Sequence, residues 1–110
     1  MPAQFNLRKS DDDQFHFNLT AENNEVILSS ERYKSKDGAL RGIESVRTNS
    51  QKDGHYDRRT SSDGKYYFVL RAANNKVIGT SEMYNSEQAL ENGIQAVKRV
   101  APEAPVKERT

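Results

Sequence analysis

Residues 23–35 read NNEVILSSERYKS, and residues 74–86 read NNKVIGTSEMYNS. The same shift of 51 residues, applied without gaps, aligns residues 5–50 with residues 56–101 and gives 17 identities in 46 positions. A repeat of this length indicates two copies of one supersecondary unit, which assemble into the fold.

This repeat also sets the domain organisation. One hundred and ten residues suit a single domain with one modest core. We therefore predict one domain over residues 1–110, with repeat one at 4–51, repeat two at 55–102 and a closing strand at 106–110. Because both units lie in one chain, we also expect a monomer with internal pseudo-twofold symmetry.

The composition excludes several classes of protein. The net charge is +1, with 17 basic and 16 acidic residues, which argues against a protein that mainly neutralises phosphates. The absence of cysteine excludes disulfides and thiolate metal sites. The chain has no apolar stretch long enough for a signal peptide or a membrane span. We expect a soluble cytoplasmic protein that does not bind membranes.

Each repeat contains three predicted strands. Apolar and polar residues alternate over residues 15–21 and 66–72, which is typical of a half-buried strand. A second strand is predicted at 26–30 and 77–81, and a preceding one at 5–9 and 56–60. On this assignment Arg58 falls on the same side of its strand as the apolar Tyr56, which is a mild conflict.

Two kinds of hairpin loop are predicted. Between the first two strands, a three-residue loop keeps Phe5 and Phe17 on one face, and Gly64 stands where its bulge favours glycine. Between the next two strands, Asn23-Asn24 suggests a two-residue loop that pairs Ala21 with Val26 and Leu19 with Leu28.

A helix follows the strands in each copy. Ser35 and Ser86 are predicted N-caps, and apolar residues recur after them at helical spacing. Gly42 and Gly93 lie beside this apolar stripe, which suggests that each helix packs closely on the sheet. Pro102 and Pro105 end the second helix. The predicted fold class is α+β: β-β-β-α(-β) units share one antiparallel sheet, with both helices on one face.

The aromatic strand, the Asn turn, Ser-Glu-x-Tyr-x-Ser and the helical Gly-Ile-x-x-Val resemble the YegP-like family of small uncharacterised bacterial proteins. The resemblance runs from residue 5 to residue 110. It implies one shared antiparallel sheet with closing strands exchanged between the units, and it implies little about function. Asn24 and Asn75 stand where that family commonly has glycine, which leaves the turn type open.

Two regions are candidate binding sites. The first is the duplicated junction Glu31, Tyr33, Glu82 and Tyr84, where a small ligand or substrate could bind, although packing and capping explain its duplication more simply. The second is the sheet face away from the helices. There Arg8, His16, Asn18, Thr20 and Ile27 are expected in repeat one, and Arg59, Tyr67, Val69, Arg71 and Ile78 in repeat two.

On this open face we predict a binding site at Arg59, Tyr67 and Arg71, with His16 as a neighbour, because arginine and tyrosine are enriched at interfaces. The simpler alternative is a partly wetted face without a ligand. Arg41, Glu44 and Arg47 on the helices are interpreted as solvating charges.

No catalytic or metal-binding constellation is found in the sequence. The histidines His16 and His55 are isolated, and Asp11-Asp12-Asp13 lacks the ligand spacing of a calcium loop. We therefore predict no cofactor, no metal and no enzyme. The leading interpretation is a non-enzymatic binding or accessory module of unknown partner. The alternatives are a ligand carrier or enzyme using the junctions, and a weak single-stranded nucleic-acid binder using the open face.

Overall fold

Seven strands and two helices follow each other in the predicted order. The computed structural model describes residues 2–109. The strands are β1 (Gln4–Lys9), β2 (Phe15–Thr20), β3 (Val26–Ser30), β4 (Tyr56–Thr60), β5 (Tyr66–Arg71), β6 (Val77–Thr80) and β7 (Val106–Glu108). The helices are α1 (Lys36–Asn49) and α2 (Glu87–Val100), and a 3-10 turn, Asp53–His55, precedes β4. The closing strand was predicted to reach Thr110, which lies outside the described residues.

All seven strands form one sheet in the order β4-β5-β6-β3-β2-β1-β7. The two repeats meet where β3 pairs antiparallel with β6, so the first six strands read the same outward from this central pair. One strand departs from the predicted antiparallel sheet: β7 runs parallel to β1. The sheet is therefore mixed, and the strand that follows the second helix is placed on the first repeat.

The core lies between the sheet and both helices. Phe5, Leu7, Phe17 and Leu19 from repeat one, and Phe68 and Leu70 from repeat two, are buried with Ile43 and Ile94 of the helices in one cluster. Each helix also crosses the repeat boundary, since α1 contacts β6 and α2 contacts β3. Both helices therefore cover the same face, as predicted, and the other face of the sheet is open.

The first hairpin of each repeat has the predicted three-residue loop. Asp13 has φ 62° and Gly64 has φ 83°, which is the left-handed conformation that the bulge of this loop requires. The register then pairs Phe5 with Leu19 and Tyr56 with Leu70. Arg58 does lie on the helix side, where it forms an ion pair with Glu91 of α2. That pair removes the conflict noted in the sequence.

The second hairpin corrects the predicted two-residue loop. The Ala21 N–H donates to the Glu25 carbonyl at 2.9 Å, and only Asn24 of the loop has positive φ, so the loop has three residues. A bulge then absorbs the extra residue, so Leu19 still pairs with Leu28 as predicted, but Val26 pairs with Thr20 and not with Ala21. Because of the same bulge in both copies, Ile27 and Ile78 join the core instead of the open face.

Arg47 is a further correction, because it does not act as a solvating charge. Its side chain is only 24% exposed and lies over the Phe5 ring, 5.4 Å from the centroid. Its Nη2 donates to the Ala104 carbonyl at 2.6 Å, and it also pairs with Glu44. Arg47 therefore anchors the segment that leads from α2 to β7, whereas Arg41 pairs with Asp37 on the exposed side of α1.

Candidate functional site on the open sheet face

The duplicated junction is held together by the backbone and by small side chains. Phe15 and Tyr33 exchange two backbone hydrogen bonds of 2.7 Å, and Tyr66 and Tyr84 do the same at 2.9 and 2.7 Å. Ser30 Oγ accepts from the Phe17 N–H at 2.8 Å and donates to the Glu31 carbonyl at 2.7 Å. Ser81 repeats both bonds, and Ser35 and Ser86 cap the helices as predicted. These contacts give the serines of the motif structural roles.

The tyrosines of the junction lie against the helical glycines. A Cβ atom added at Gly42 would overlap the Tyr33 hydroxyl and lie 2.7 Å from Tyr33 Cζ, and Gly93 and Tyr84 have the same geometry. Burial raises the pKa of Tyr33 and of Tyr84. The glycines thus allow each helix to pack closely on the sheet, as predicted, because they make room for the tyrosine ring beneath the helix. The glutamates of the junction, Glu31 and Glu82, are exposed at the surface.

On the open face, the four predicted site residues fall into two groups. Arg59 of β4 pairs directly with Tyr67 of β5, and Arg71 lies on the same face of β5. His16 is not their neighbour, because β6 and β3 lie between β5 and β2. Three strand spacings of about 4.8 Å separate β2 from β5, so His16 lies roughly 14 Å from the strand that carries Tyr67 and Arg71. His16 instead pairs with Arg8.

The first group is organised by one carboxylate. Asp57 Oδ2 lies 2.8 Å from Arg59 Nη2 and 3.3 Å from Arg71 Nη2. The hydrogen bond from Arg59, assisted by Arg71, lowers the pKa of Asp57. Asp57 and then Tyr67 raise the pKa of Arg59. Both guanidinium groups are therefore already engaged by an internal anion, which the sequence pattern did not reveal.

Next to the Arg8–His16 pair lies a polar groove, which was not predicted as a binding site although Arg8, Asn18 and Thr20 were expected on this face. Three of its side chains are buried although they lie on the open face: Gln4, Asn6 and Thr20 are 7%, 4% and 6% exposed. Gln4 Nε2 donates to Asn6 Oδ1 at 2.8 Å, and Asn6 Nδ2 donates to Asn18 Oδ1 at 2.8 Å. The groove has a volume of about 410 Å³, and Arg8 and Arg109 also line it.

The two arginines of this groove differ from Arg59 and Arg71. Both are exposed, and within residues 2–109 neither lies within ion-pair distance of a carboxylate. Arg109 Nη2 lies 3.5 Å from Asn6 Oδ1. The nearby His16 Nδ1 is buried and has no hydrogen-bond partner in the described chain. The sequence does contain a pattern that indicates this groove, because uncharged polar residues recur at every second position of two paired strands: Gln4 and Asn6 on β1, and Asn18 and Thr20 on β2.

Comparison with known proteins identifies the family. A family model described as "Domain of unknown function (DUF1508)" matches residues 10–57 and 61–108. The chain belongs to this family, in its tandem form. The two matched segments begin 51 residues apart, which is the shift of the repeat.

Relatives in this family extend over nearly the whole chain. A UPF0339 protein of Pseudomonas aeruginosa is 55% identical over 104 residues, which is 94% of each chain. The UPF0339 protein YegP of Escherichia coli is 48% identical over 110 residues and covers both chains fully. The solution NMR structure of YegP from E. coli, described as a protein of unknown function, matches with a TM-score of 0.94 and covers 100% of this chain and 95% of that one. This DUF1508 chain thus has the fold of its relatives, and their names assign no activity.

Two further observations concern other kinds of site. Within residues 2–109, no helix is long and apolar enough to cross a membrane. The same part of the chain holds no group of three or more His, Cys, Asp or Glu side chains that could bind a metal ion.

Proposed function

We propose that this DUF1508 protein is a non-enzymatic binding module, which takes an anionic group of its partner into the polar groove of the open sheet face. The observation that carries the proposal is the pair Arg8 and Arg109, which are exposed and have no internal carboxylate within the described chain. A guanidinium group presents forked donors that match a carboxylate or a phosphate. We also propose that the protein acts as a monomer in the cytoplasm.

The floor of the groove supports recognition over catalysis. Gln4, Asn6 and Asn18 carry carboxamides, which donate and accept hydrogen bonds but do not exchange protons at neutral pH. Their mutual hydrogen bonds hold them in fixed positions, so little side-chain entropy is lost when a ligand binds. Such a floor orients a polar ligand without activating it.

Arg59, Tyr67 and Arg71 form a second contact region in this proposal. Asp57 neutralises part of the charge of the two arginines, so a ligand anion must compete with this internal carboxylate. The partly exposed Tyr67 ring provides flat contact area instead. A single-stranded nucleic acid would use the same ring for stacking, which is the alternative that this residue favours.

The test is a ¹H–¹⁵N titration of the whole chain at constant ionic strength with inorganic phosphate, succinate and a single-stranded hexathymidylate. We expect the side-chain amides of Asn6 and Asn18 to shift, together with the backbone amide of Arg8. The double variant Arg8→Gln/Arg109→Gln should lose these shifts. The control variant Arg41→Gln/Lys52→Gln removes the same charge from other surfaces and should keep them.

Shifts confined to the helices, or equal loss in both double variants, would contradict the proposal. If only hexathymidylate binds, and Tyr67→Ala loses about 1–3 kcal/mol of binding per stacked base, the nucleic-acid alternative replaces it.

A further inference from the structure

The two outer edges of the sheet are treated differently by the chain. The shift of 51 residues aligns β4 with β1, and the two strands pair with equivalent neighbours in the same register, Tyr56 with Leu70 and Phe5 with Leu19. Beyond β1 lies β7, whereas β4 is the last strand of the sheet. The position outside β4 is therefore the pseudosymmetric image of the position that β7 occupies.

The way β7 is held shows what such a position requires. The Phe5 N–H donates to the Pro105 carbonyl, and the Arg109 N–H donates to the Leu7 carbonyl, both at 2.8 Å. Val106 packs against the core, and Glu108 forms an ion pair with Lys36 in the first turn of α1. The strand is thus bound by backbone hydrogen bonds, one apolar side chain and one charge that faces the helix.

Outside β4, the backbone groups that correspond to those of Leu7 are available. The Tyr56 N–H already bonds the Asp53 carbonyl, so the 3-10 turn supplies the acceptor that Pro105 supplies to Phe5. Arg58 corresponds to Leu7, so its N–H and C=O point away from β5, and no strand within residues 2–109 pairs with them. A cavity of about 200 Å³ lies beside these groups, lined in part by Arg58, Thr60 and Leu90.

The helix residues that would face the incoming strand are acidic, whereas the helix residue that pairs with β7 is basic. Glu87 corresponds to Lys36 and Glu91 to Leu40, and both glutamates line the cavity. Arg58 Nη2 lies 2.9 Å from Glu91 Oε1, which leaves Glu87 without an ion-pair partner in the described chain. The β7 strand of a second copy would bring Glu108 against Glu87, and these like charges repel. The edge therefore disfavours self-association through β7 and favours a basic residue at that place.

We propose that the β4 edge binds an extended segment of a partner protein, which adds to the sheet as an eighth strand parallel to β4. The segment has an apolar residue at the place of Val106 and, two residues later, a basic residue that meets Glu87. Backbone pairing supplies the attraction and the alternate side chains supply the selectivity, as in other cases of β-augmentation. This site lies on the sheet edge, so it is independent of the groove on the open face.

The test uses two peptides with the sequence of residues 104–110, one native and one with Glu108→Lys, added to the ¹⁵N-labelled protein at low salt. We expect the Arg58 and Thr60 amides to shift and to exchange more slowly with solvent. The Glu108→Lys peptide should bind roughly fivefold more tightly, the effect of replacing an exposed repulsion with an exposed ion pair. In the Glu87→Lys protein the preference should reverse.

Two variants at one position separate pairing from charge. Arg58→Pro removes the outward N–H but keeps the hydrogen bonds between β4 and β5, so it should abolish binding. Arg58→Thr loses the same ion pair but retains the N–H, so it should bind. Equal affinity for both peptides in both proteins would overturn the proposal, as would shifts at Phe5 and Leu7 instead of β4. The absence of any shift would mean that the charges of β4 only protect the edge from pairing.

Discussion

The two halves of the open face have the same backbone and different chemistry. In repeat one, Asn6 and Asn18 hydrogen-bond to each other, and the corresponding positions in repeat two are Asp57 and Val69. The carboxylate of Asp57 engages two arginines of its own half, whereas Asn6 is a neutral amide, so the exposed Arg8 and Arg109 have no carboxylate partner within the described chain. A duplicated scaffold can thus keep one half closed by internal ion pairs and the other half open to a ligand.

The strongest test of this comparison exchanges the two residues. Asn6 is 4% exposed and donates to Asn18 Oδ1, so Asn6→Asp places a buried carboxylate against an acceptor. We expect the free energy of unfolding to fall by about 2–3 kcal/mol, because Asn18 Oδ1 loses its donor and the buried side chain of residue 6 gains a charge. Urea unfolding followed by circular dichroism at pH 7 measures it.

The matched change in the other half is Asp57→Asn. The side chains of Asp57 and Arg59 are 39% and 42% exposed, so solvent weakens their ion pair. We therefore expect the free energy of unfolding to fall by less than about 1 kcal/mol. Arg59 lowers the pKa of Asp57, so the carboxylate stabilises the native protein above the ordinary pKa of aspartate and loses this effect as the pH falls through the lowered pKa. The difference between wild type and Asp57→Asn should therefore vanish in acid. Equal costs for the two exchanges at pH 7 would show that the halves are equivalent.

A second test concerns the glycines under the junction tyrosines. Tyr33 is stacked on Phe17, with ring centroids 6.1 Å apart, so it has little room to move away from a methyl group at residue 42. Tyr84 borders a cavity of about 400 Å³ and can move. We expect Gly42→Ala to cost about 1–2 kcal/mol of stability. Gly93→Ala should be nearly neutral, because its helix propensity gain of about 1 kcal/mol offsets the smaller rearrangement.

Thermal unfolding of both variants in the same buffer gives this difference directly. If Gly93→Ala were the more destabilising change, the cavity beside Tyr84 would not relieve the overlap, and this contrast between the repeats would be wrong.

The smallest of the three contrasts between the repeats separates Tyr56 from its counterpart Phe5. The Tyr56 hydroxyl donates to the Ser50 carbonyl at 2.8 Å, so Tyr56→Phe should cost about 1 kcal/mol at neutral pH. Burial raises the pKa of Tyr56, so the native state keeps this proton at a pH where the unfolded chain releases it. The stabilisation is complete below the ordinary tyrosine pKa of about 10 and is lost as the pH rises above it.

Measuring stability from pH 9 to the alkaline limit of the protein tests this linkage. The decline can reach about 1.4 kcal/mol per pH unit for one tyrosine. Tyr56→Phe should flatten it, and Tyr33→Phe should flatten it less, because Tyr33 is only half-buried. A decline that is unchanged in Tyr56→Phe would assign the alkaline sensitivity to another group.

The sequence predicted the parts of the fold that depend on side-chain period and parity. Gly64 and the alternation of Phe15 and Phe17 were enough to prefer the three-residue loop, because a two-residue loop places Phe5 on the wrong face. The Asn23-Asn24 loop was misjudged because two loops lead to the same pairing of Leu19 with Leu28. A three-residue loop followed by a bulge needs only one residue with positive φ, whereas a two-residue loop of type I′ needs two. Pattern alone does not distinguish them, and the burial of Ile27 followed from this choice.

The binding residues were harder to predict because they depend on strand order. Each repeat indicates where Arg59 and Tyr67 lie relative to each other, since they share one hairpin. The distance from Tyr67 to His16 depends on how the two repeats join, and the β3–β6 pair separates them. Arg109 reaches the groove only because β7 lies on β1, and a three-residue strand has too few residues to show its partner in the sequence.

The parallel pairing of β7 with β1 also determines how the chain responds to force. The first strand and the last strand lie side by side and run in the same direction, so residues 2–109 enter β1 and leave β7 at opposite ends of this pair. Tension applied to the two ends therefore slides β1 along β7 and loads their hydrogen bonds together, instead of opening them one after another. The ion pair of Lys36 with Glu108 and the bond from Arg47 to Ala104 lie in the same load path. The shortest strand of the sheet, β7, thus resists the separation of the two ends of the described chain.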